Sequence, residues 1–365
     1  MSPDTFSYES LAARVLFGWD AIHRLPAEID RIGAKRVLVL STLQQAKDAE
    51  RVMAIVSKTS VGLFSGAVMH TPVEVTAQAL ETVTRVRADA LVSFGGGSTI
   101  GLGKAIAIRN GMHHIALPTT YAGSEATPIL GETDKGVKTT RRDPRILPTL
   151  VIYDPELTLN LPRSISATSG LNAMAHAVEA LYAQDRNPII SIIAEEGIKA
   201  FARALPRIAR DLHDREARAT ALYGAWLCGT ALGNVGMALH HKICHVLGGS
   251  FDLPHAETHA VMLPHVLAFN AGAAPQAVAA LGRAFDSNQP LKAFREFCLS
   301  LGVPTSLSQL GMTEVGLDRA ADLAVANPYW NPRNFNRADI RALLEGAWKG
   351  DWQVEATDRL EKDNE

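Results

Sequence analysis

Four short apolar runs in the first half of the chain restrict its fold more than any other feature. RVLVLST (36–42), ALVSFGGG (90–97), HHIALPTT (113–120) and TLVIYDP (149–155) are of strand length and alternate with stretches of helical periodicity. Strands that alternate with helices are covered on both faces and pair in parallel. Residues 1–160 are therefore expected to form an α/β domain with a doubly wound parallel sheet. Beyond Pro162 helical periodicity takes over, in small-residue stretches such as ALYGAWLCGTALGNVGMALHH (221–241), and no alternating strand pattern appears. Residues 161–365 are expected to form an all-α domain. A chain of 365 residues also exceeds what one hydrophobic core usually organises.

The polar, basic stretch from Gly131 to Pro148 lies between two of the strands and reads as a surface loop. The closing segment DWQVEATDRLEKDNE is polar enough to fray, and no function is expected of it.

The 36 basic and 38 acidic side chains are scattered and leave a net charge of −2, so there is no electrostatic footprint for nucleic acid or an anionic membrane. MSPDTFSYES has neither a basic nor an apolar leader region, and no run of about 18 apolar residues occurs. The expectation is a protein that is neither secreted nor membrane-spanning, with a small-molecule partner. Cys228, Cys244 and Cys298 are far apart, odd in number and set among apolar residues, which argues against a disulfide framework and for the reducing cytoplasm.

The second apolar run ends in Gly95, Gly96, Gly97 and Ser98, and TIGLGKAIAIRN continues as a helix. Such a junction presents unpaired backbone N–H groups and the positive end of a helix dipole, and the glycines let a phosphate approach the backbone. The dinucleotide fingerprint GxGxxG is not matched, because Ile100 stands three residues after Gly97, and a tight turn without ligand is the alternative. The third run ends in Thr119 and Thr120, at a strand's carboxyl end, where open α/β sheets bind ligands. Their hydroxyls suit a ribose or a phosphate; a helix N-cap served by Ser124 or Thr120 is an equal alternative.

Six of the twelve histidines fall between His240 and His265. His241 and His245 are four apart in a helical stretch and share a face, and His255 follows Pro254 at the start of the next helix. Earlier, Asn172, His176 and Glu179 share a polar face beside the apolar stripe of Leu171, Met174, Ala175, Val178 and Leu181. Imidazoles and carboxylates so spaced often hold a divalent cation, but Asn172 is an amide and a poor ligand. His241, His245 and His255 read as functional; His240, His259 and His265 read as structural.

With GGGSTIGLGK, PTTYAGSE, NAMAHAVE and HHKICHVLGGSFDLPH in this order and spacing, the chain resembles the iron-containing, group III alcohol dehydrogenase family over nearly its whole length. The resemblance implies a Rossmann-like domain binding NADH or NADPH, a helical catalytic domain in a dehydroquinate synthase-like architecture, an active site between them, and a homodimer. Carried over position by position, Gly95, Gly96, Gly97 and Ser98 would hold the pyrophosphate, and Thr119 and Thr120 would lie along the rest of the cofactor. The family's metal site would fall on Asn172, His176, His241 and His255, with His245 as the histidine beside the nicotinamide.

Three departures from the family pattern narrow that expectation. Asn172 replaces the metal-binding aspartate and removes the site's only anionic ligand, which points to catalysis without a metal. Gly101 replaces the aspartate that usually follows the glycine motif. Ser41 and Thr42 stand where many relatives carry an aspartate that bonds the ribose and repels a 2′-phosphate, so both nicotinamide cofactors are expected. Together with a PTTYAGSE motif one residue shorter than usual, these features resemble the branch of the family that reduces the carbon–carbon double bond of an unsaturated oxo-dicarboxylate. Lys138, Arg141 and Arg142 are candidates for the substrate carboxylates, and a solvated loop is their alternative. Three other readings are a metal-dependent alcohol or lactaldehyde dehydrogenase, which Asn172 disfavours; a lyase similar to dehydroquinate synthase, which needs intact metal ligands; and a nucleotide-binding regulatory module, which leaves the histidines unexplained.

Overall fold

The computed structural model describes residues 6–352 except Ala12, Asn327 and Pro328, and without the Lys138 side chain. Of the closing polar segment, all but Asp351 and Trp352 lies outside the described residues, as do the first five residues of the N-terminal stretch.

Among the described residues six strands make one sheet: β1 (Arg14–Phe17), β2 (Val37–Leu40), β3 (Ser60–Phe64), β4 (Ala90–Gly95), β5 (His113–Pro118) and β8 (Leu150–Tyr153). All pair in parallel, in the order β1-β8-β5-β4-β2-β3. The four apolar runs become β2, β4, β5 and β8, the buried middle of the sheet. The two edge strands, β1 and β3, were not expected from the sequence. They are short and partly exposed, so neither carries a continuous apolar run.

Four helices flank this sheet: α1 (Leu25–Arg31), α2 (Ala46–Ile55), α3 (Val73–Val86) and α4 (Gly97–Asn110). Successive strand residues face opposite sides. Val37 and Val39 pack with Leu25, Ile29, Ala49 and Val52, whereas Leu38 and Leu40 pack with Ala79, Val83, Leu102 and Ile106. One pair of helices therefore covers each face, which is the doubly wound arrangement. Each fully buried leucine here contributes roughly 2 kcal/mol relative to exposure.

The basic stretch is not a loop. β6 (Ile129–Asp134) and β7 (Val137–Arg142) form an antiparallel hairpin. Lys135 and Gly136 both take positive φ, 47° and 78°, as a two-residue I′ turn requires. Polar residues on both faces hide these strands from an apolar-pattern reading.

The remaining helices are α5 (Arg163–Leu181), α6 (Pro188–Arg210), α7 (Arg215–Asn234), α8 (Leu239–Phe251), α9 (His255–Asn270), α10 (Pro275–Phe285), α11 (Pro290–Ser300), α12 (Gly316–Val325) and α13 (Arg337–Lys349). The described residues divide into two compact units: 10–161 with 213–233, and 6–9 with 162–212 and 234–352. Most of α7 thus groups with the sheet, although it follows residue 160 in the chain. Buried Arg218 anchors it, donating to the Tyr121 hydroxyl at 3.1 Å and the Leu161 carbonyl at 2.9 Å.

In the helical unit, every residue of α5 from Ser166 to Leu181 is buried. Its alanines, serines and glycine let neighbouring helices approach from all sides, so the polar face of Asn172, His176 and Glu179 is interior. Among the described residues no helix is long and apolar enough to cross a membrane.

Candidate functional site

The strand order reverses at β2, which has β3 on one side and β4 on the other. The carboxyl ends of β2 and β4 therefore flank a topological switch point, where open parallel sheets take their ligands. Ser41 and Thr42 leave β2 there, Gly95 to Ser98 lead from β4 into α4, and Thr119 and Thr120 leave the neighbouring β5.

Two glycines of this turn are required sterically. Gly95 has a φ of 154°, and a Cβ on it would lie 2.5 Å from Thr99 Oγ1; one on Gly96 would lie 2.8 Å from Thr120 Cγ2. Gly97 opens α4 and is exposed, and the first N–H groups of a helix have no acceptor in the turn before them. The Ser124 hydroxyl, 3.7 Å from where a Cβ on Gly97 would stand, is buried with no hydrogen-bond partner. A helix N-terminus beside an unpartnered hydroxyl is a cradle for an anion such as a diphosphate.

Two further contacts complete this edge. Gln45, not singled out by the sequence, donates from Nε2 to Thr119 Oγ1 at 2.9 Å. Ser41 is fully buried and donates to the Thr42 carbonyl at 3.0 Å, which leaves half-buried Thr42 as the more accessible of the two. At Gly101, a Cβ would come within 2.6 Å of Thr71 Oγ1, so the threonine hydroxyl fills the space that an aspartate would need.

In the helical unit, α5, α8 and α9 bring the histidines together. Ring centroids lie 5.1 Å apart for His176 and His241, 6.2 Å for His241 and His245, 5.0 Å for His241 and His259, and 4.5 Å for His255 and His259. His176 and His245 thus meet His241 directly, and His255 joins them through His259, which the sequence reads as structural. His259 Nδ1 is 2.9 Å from His240 Nε2, a hydrogen bond between two fully buried rings. His265 is elsewhere, against Trp352 at 5.3 Å.

Glu179 organises the cluster. Its Oε2 accepts from His241 Nδ1 at 2.6 Å and from the Ala238 N–H at 3.0 Å, and its Oε1 accepts from the His240 N–H at 2.8 Å. These backbone donors belong to the start of α8, whose N-cap residue, Ala238, has no capping side chain, so a carboxylate from α5 caps it instead. Burial pushes the Glu179 carboxyl up, but the charge and hydrogen bond of His241 and the other donors outweigh it and hold the group below its ordinary pKa. Burial lowers His176 and His259 well below 6.5 and His240 to about 3.

Asn172 Oδ1, His176 Nδ1 and His241 Nε2 are buried and have no hydrogen-bond partner. Each such group costs about 1–3 kcal/mol unless a ligand meets it. The set nevertheless suits a divalent cation poorly. Its imidazoles are ordinary ligands for such an ion, but it lacks an anionic one: its oxygen donor is an amide, and the carboxylate beside it, Glu179, already takes three donors. Among the described residues, the side chains whose potential ligand atoms gather within 4.8 Å are instead His240, Cys244 and His259. There the imidazoles bond each other, and burial holds the thiol protonated, well above its ordinary pKa.

The basic hairpin has other partners. Arg142 donates to the Gly233 and Leu232 carbonyls at 3.0 and 3.1 Å, and Arg141 and Arg145 share Asp143 at 2.9 and 2.7 Å. The cysteines Cys228, Cys244 and Cys298 are free and buried.

Comparison with known proteins matches residues 12–155 to iron-containing alcohol dehydrogenase and residues 166–348 to the C-terminal part of the Fe-containing alcohol dehydrogenase family. The chain is 55% identical to a maleylacetate reductase of a Rhizobium species over 94% of this chain and 98% of that one. It is 52% identical to a maleylacetate reductase of Burkholderia cepacia, over 95% and 99%. The crystal structure of maleylacetate reductase from Agrobacterium tumefaciens superposes with a TM-score of 0.92 at 55% identity, covering 95% of this chain and 99% of that one. The chain belongs to the iron-containing alcohol dehydrogenase family.

Proposed function

We propose that this chain reduces maleylacetate to 3-oxoadipate, with NADH or NADPH as reductant and without a metal ion. The observation that carries the reading is the identity of half or more, over nearly the full length of both chains, with proteins named for that reaction.

The cradle at the β4–α4 turn fits a dinucleotide diphosphate, which Gly95, Gly96, Gly97 and Ser98 would hold, with Thr119, Thr120 and Thr42 along the rest of the cofactor. A nicotinamide held there would supply the hydride taken up at the carbon β to the substrate's ketone. Negative charge then builds on the ketone oxygen as an enolate, and a proton must reach the α carbon to complete the saturated product. Donors already in position lower the cost of that charge. His241 suits this role because Glu179 accepts from its Nδ1–H and orients the ring, so that an Nε2–H would face the oxygen. On this reading His255, His176 and the Asn172 amide would add polar contacts, and His245, exposed at the edge of the cluster, would deliver the proton. Arg141 pairs with Asp143 and Arg142 binds the last carbonyls of α7, so the substrate carboxylates are assigned to other groups.

The protein acts in the cytoplasm as a homodimer on this reading. Its test is an assay of chelator-treated protein with fresh maleylacetate and NADH or NADPH, followed at the reduced-nicotinamide band. Turnover that persists in chelator is expected. Activity that disappears and returns only with Fe²⁺ or Zn²⁺ would overturn the metal-free part, and absence of turnover in both conditions would overturn the substrate assignment.

A further inference from the structure

Lys104 lies in the interior of the sheet unit, 1% exposed, and the reaction proposed above gives it no part. It stands on α4 seven residues after Gly97, two helical turns along, and so on the same face as the glycine that opens the helix. Its ammonium donates to the carbonyls of Ser124 at 2.5 Å, Thr127 at 2.8 Å and Ile129 at 2.9 Å, and to Thr127 Oγ1 at 3.0 Å. Thr127 Oγ1 in turn donates to the Ser124 carbonyl at 2.9 Å. One buried cation therefore gathers the segment between β5 and β6, the segment that carries Thr119, Thr120 and Ser124.

An ammonium in such a place costs desolvation that a helix-supporting apolar residue would avoid. Burial lowers its pKa, with the neighbouring Glu125 carboxylate opposing, and burial raises Glu125. Three backbone carbonyls converge on it, and only a protonated amine has a donor for each. What the clamp fixes is the gap between α4 and the 119–127 segment, across which the unpartnered Ser124 hydroxyl faces Gly97.

We infer that Lys104 is a positioning residue for the cofactor diphosphate, acting through Ser124, whose hydroxyl it holds at hydrogen-bonding range of an anion seated on the first turn of α4. The inference rests on the reading of the glycine turn as the cofactor site. It assigns Lys104 no contact with the ligand; the clamp sets the width of the cradle.

A double-mutant cycle on the full-length protein tests it, using Lys104→Met, Ser124→Ala and the double variant, with Lys104→Arg as a charge-retaining control. Binding of NADH, ADP-ribose and AMP is measured directly, and kcat and KM by steady-state assay. Lys104→Met and Ser124→Ala are each expected to weaken NADH and ADP-ribose about tenfold while AMP, which lacks the diphosphate, changes by less than about twofold, and the double variant should be little worse than either single one. KM for NADH should rise while kcat at saturating NADH stays near that of the parent, a split that general loosening of the fold would not produce. Additive losses, or a Ser124→Ala variant that binds ADP-ribose like the parent, would overturn the inference even if Lys104→Met fails to fold. A parent protein that binds neither NADH nor ADP-ribose would overturn the cofactor reading itself.

Discussion

The carboxylate of Glu179 lies 2.6 Å from Nδ1 of His241, and the same group caps the first backbone N–H groups of α8. One buried charge thus fixes both the helix that carries the histidines and the tautomer of one of them. Its removal leaves three buried donors without an acceptor, and breaking a buried charged pair costs about 3–5 kcal/mol. Glu179→Ala should therefore lower the melting temperature sharply. Glu179→Gln keeps an acceptor for His241 and should fold, but its amide nitrogen faces a backbone N–H. For this variant kcat/KM for maleylacetate should fall about 10- to 100-fold, as for other partners that orient a site histidine. Parent-like kinetics in Glu179→Gln would show that the carboxylate only caps the helix.

Asn172 is one helical turn before His176 on α5, and its Oδ1 is buried without a partner. Asn172→Asp places a carboxylate at the same point, where burial penalises the charge unless a cation meets it. The variant should be less stable than the parent in chelator and should regain stability with Zn²⁺ or Fe²⁺, with metal retained after dialysis. Metal analysis and thermal melts in both conditions check this. A parent that retains metal as firmly as the variant would show that the amide was no obstacle.

The sheet was legible where strands are buried, because β2, β4, β5 and β8 are mostly apolar. It was not legible at its edges or in the β6–β7 hairpin, where exposure relaxes the pattern. In the site, the turn at Gly95 to Ser98 announces itself by composition, and the histidines by density. Glu179 was visible as part of a polar face, but its role depends on α8 beginning where it does, which no local spacing encodes. His259 and His240 looked structural for a sound reason, since they bond each other, yet His259 is also the ring that joins His255 to His241. Lys104 reads as an ordinary helix lysine until the fold brings the Ser124, Thr127 and Ile129 carbonyls to it.

Arg142 illustrates how a cation can be misread from composition. It binds the last carbonyls of α7 and so does for a helix C-terminus what lysine or arginine in the last turn usually does. Arg142→Met should lower stability by about 1 kcal/mol, since the residue is exposed, and leave KM for maleylacetate unchanged. A large rise in that KM with unaltered melting temperature would restore the arginine as a substrate ligand.

His114 should make the sheet unit sensitive to acid. Its ring is 2% exposed, with Nε2 2.8 Å from Ser93 Oγ, and burial, assisted by the charge of Lys104, lowers its pKa to about 3. Between that value and the ordinary 6.5, the unfolded chain holds a proton that the folded one does not, so stability rises with pH through this window and is lost as pH falls below about 6.5. At about pH 5 the loss from this one group is roughly 2 kcal/mol. His114→Gln retains an amide for Ser93 and removes the titration, so its stability should fall about 2 kcal/mol less than the parent's between about pH 7 and pH 5. The remaining buried histidines are common to both proteins and cancel in the comparison. Urea unfolding midpoints at the two pH values give the difference, and equal losses in parent and variant would place the acid sensitivity elsewhere.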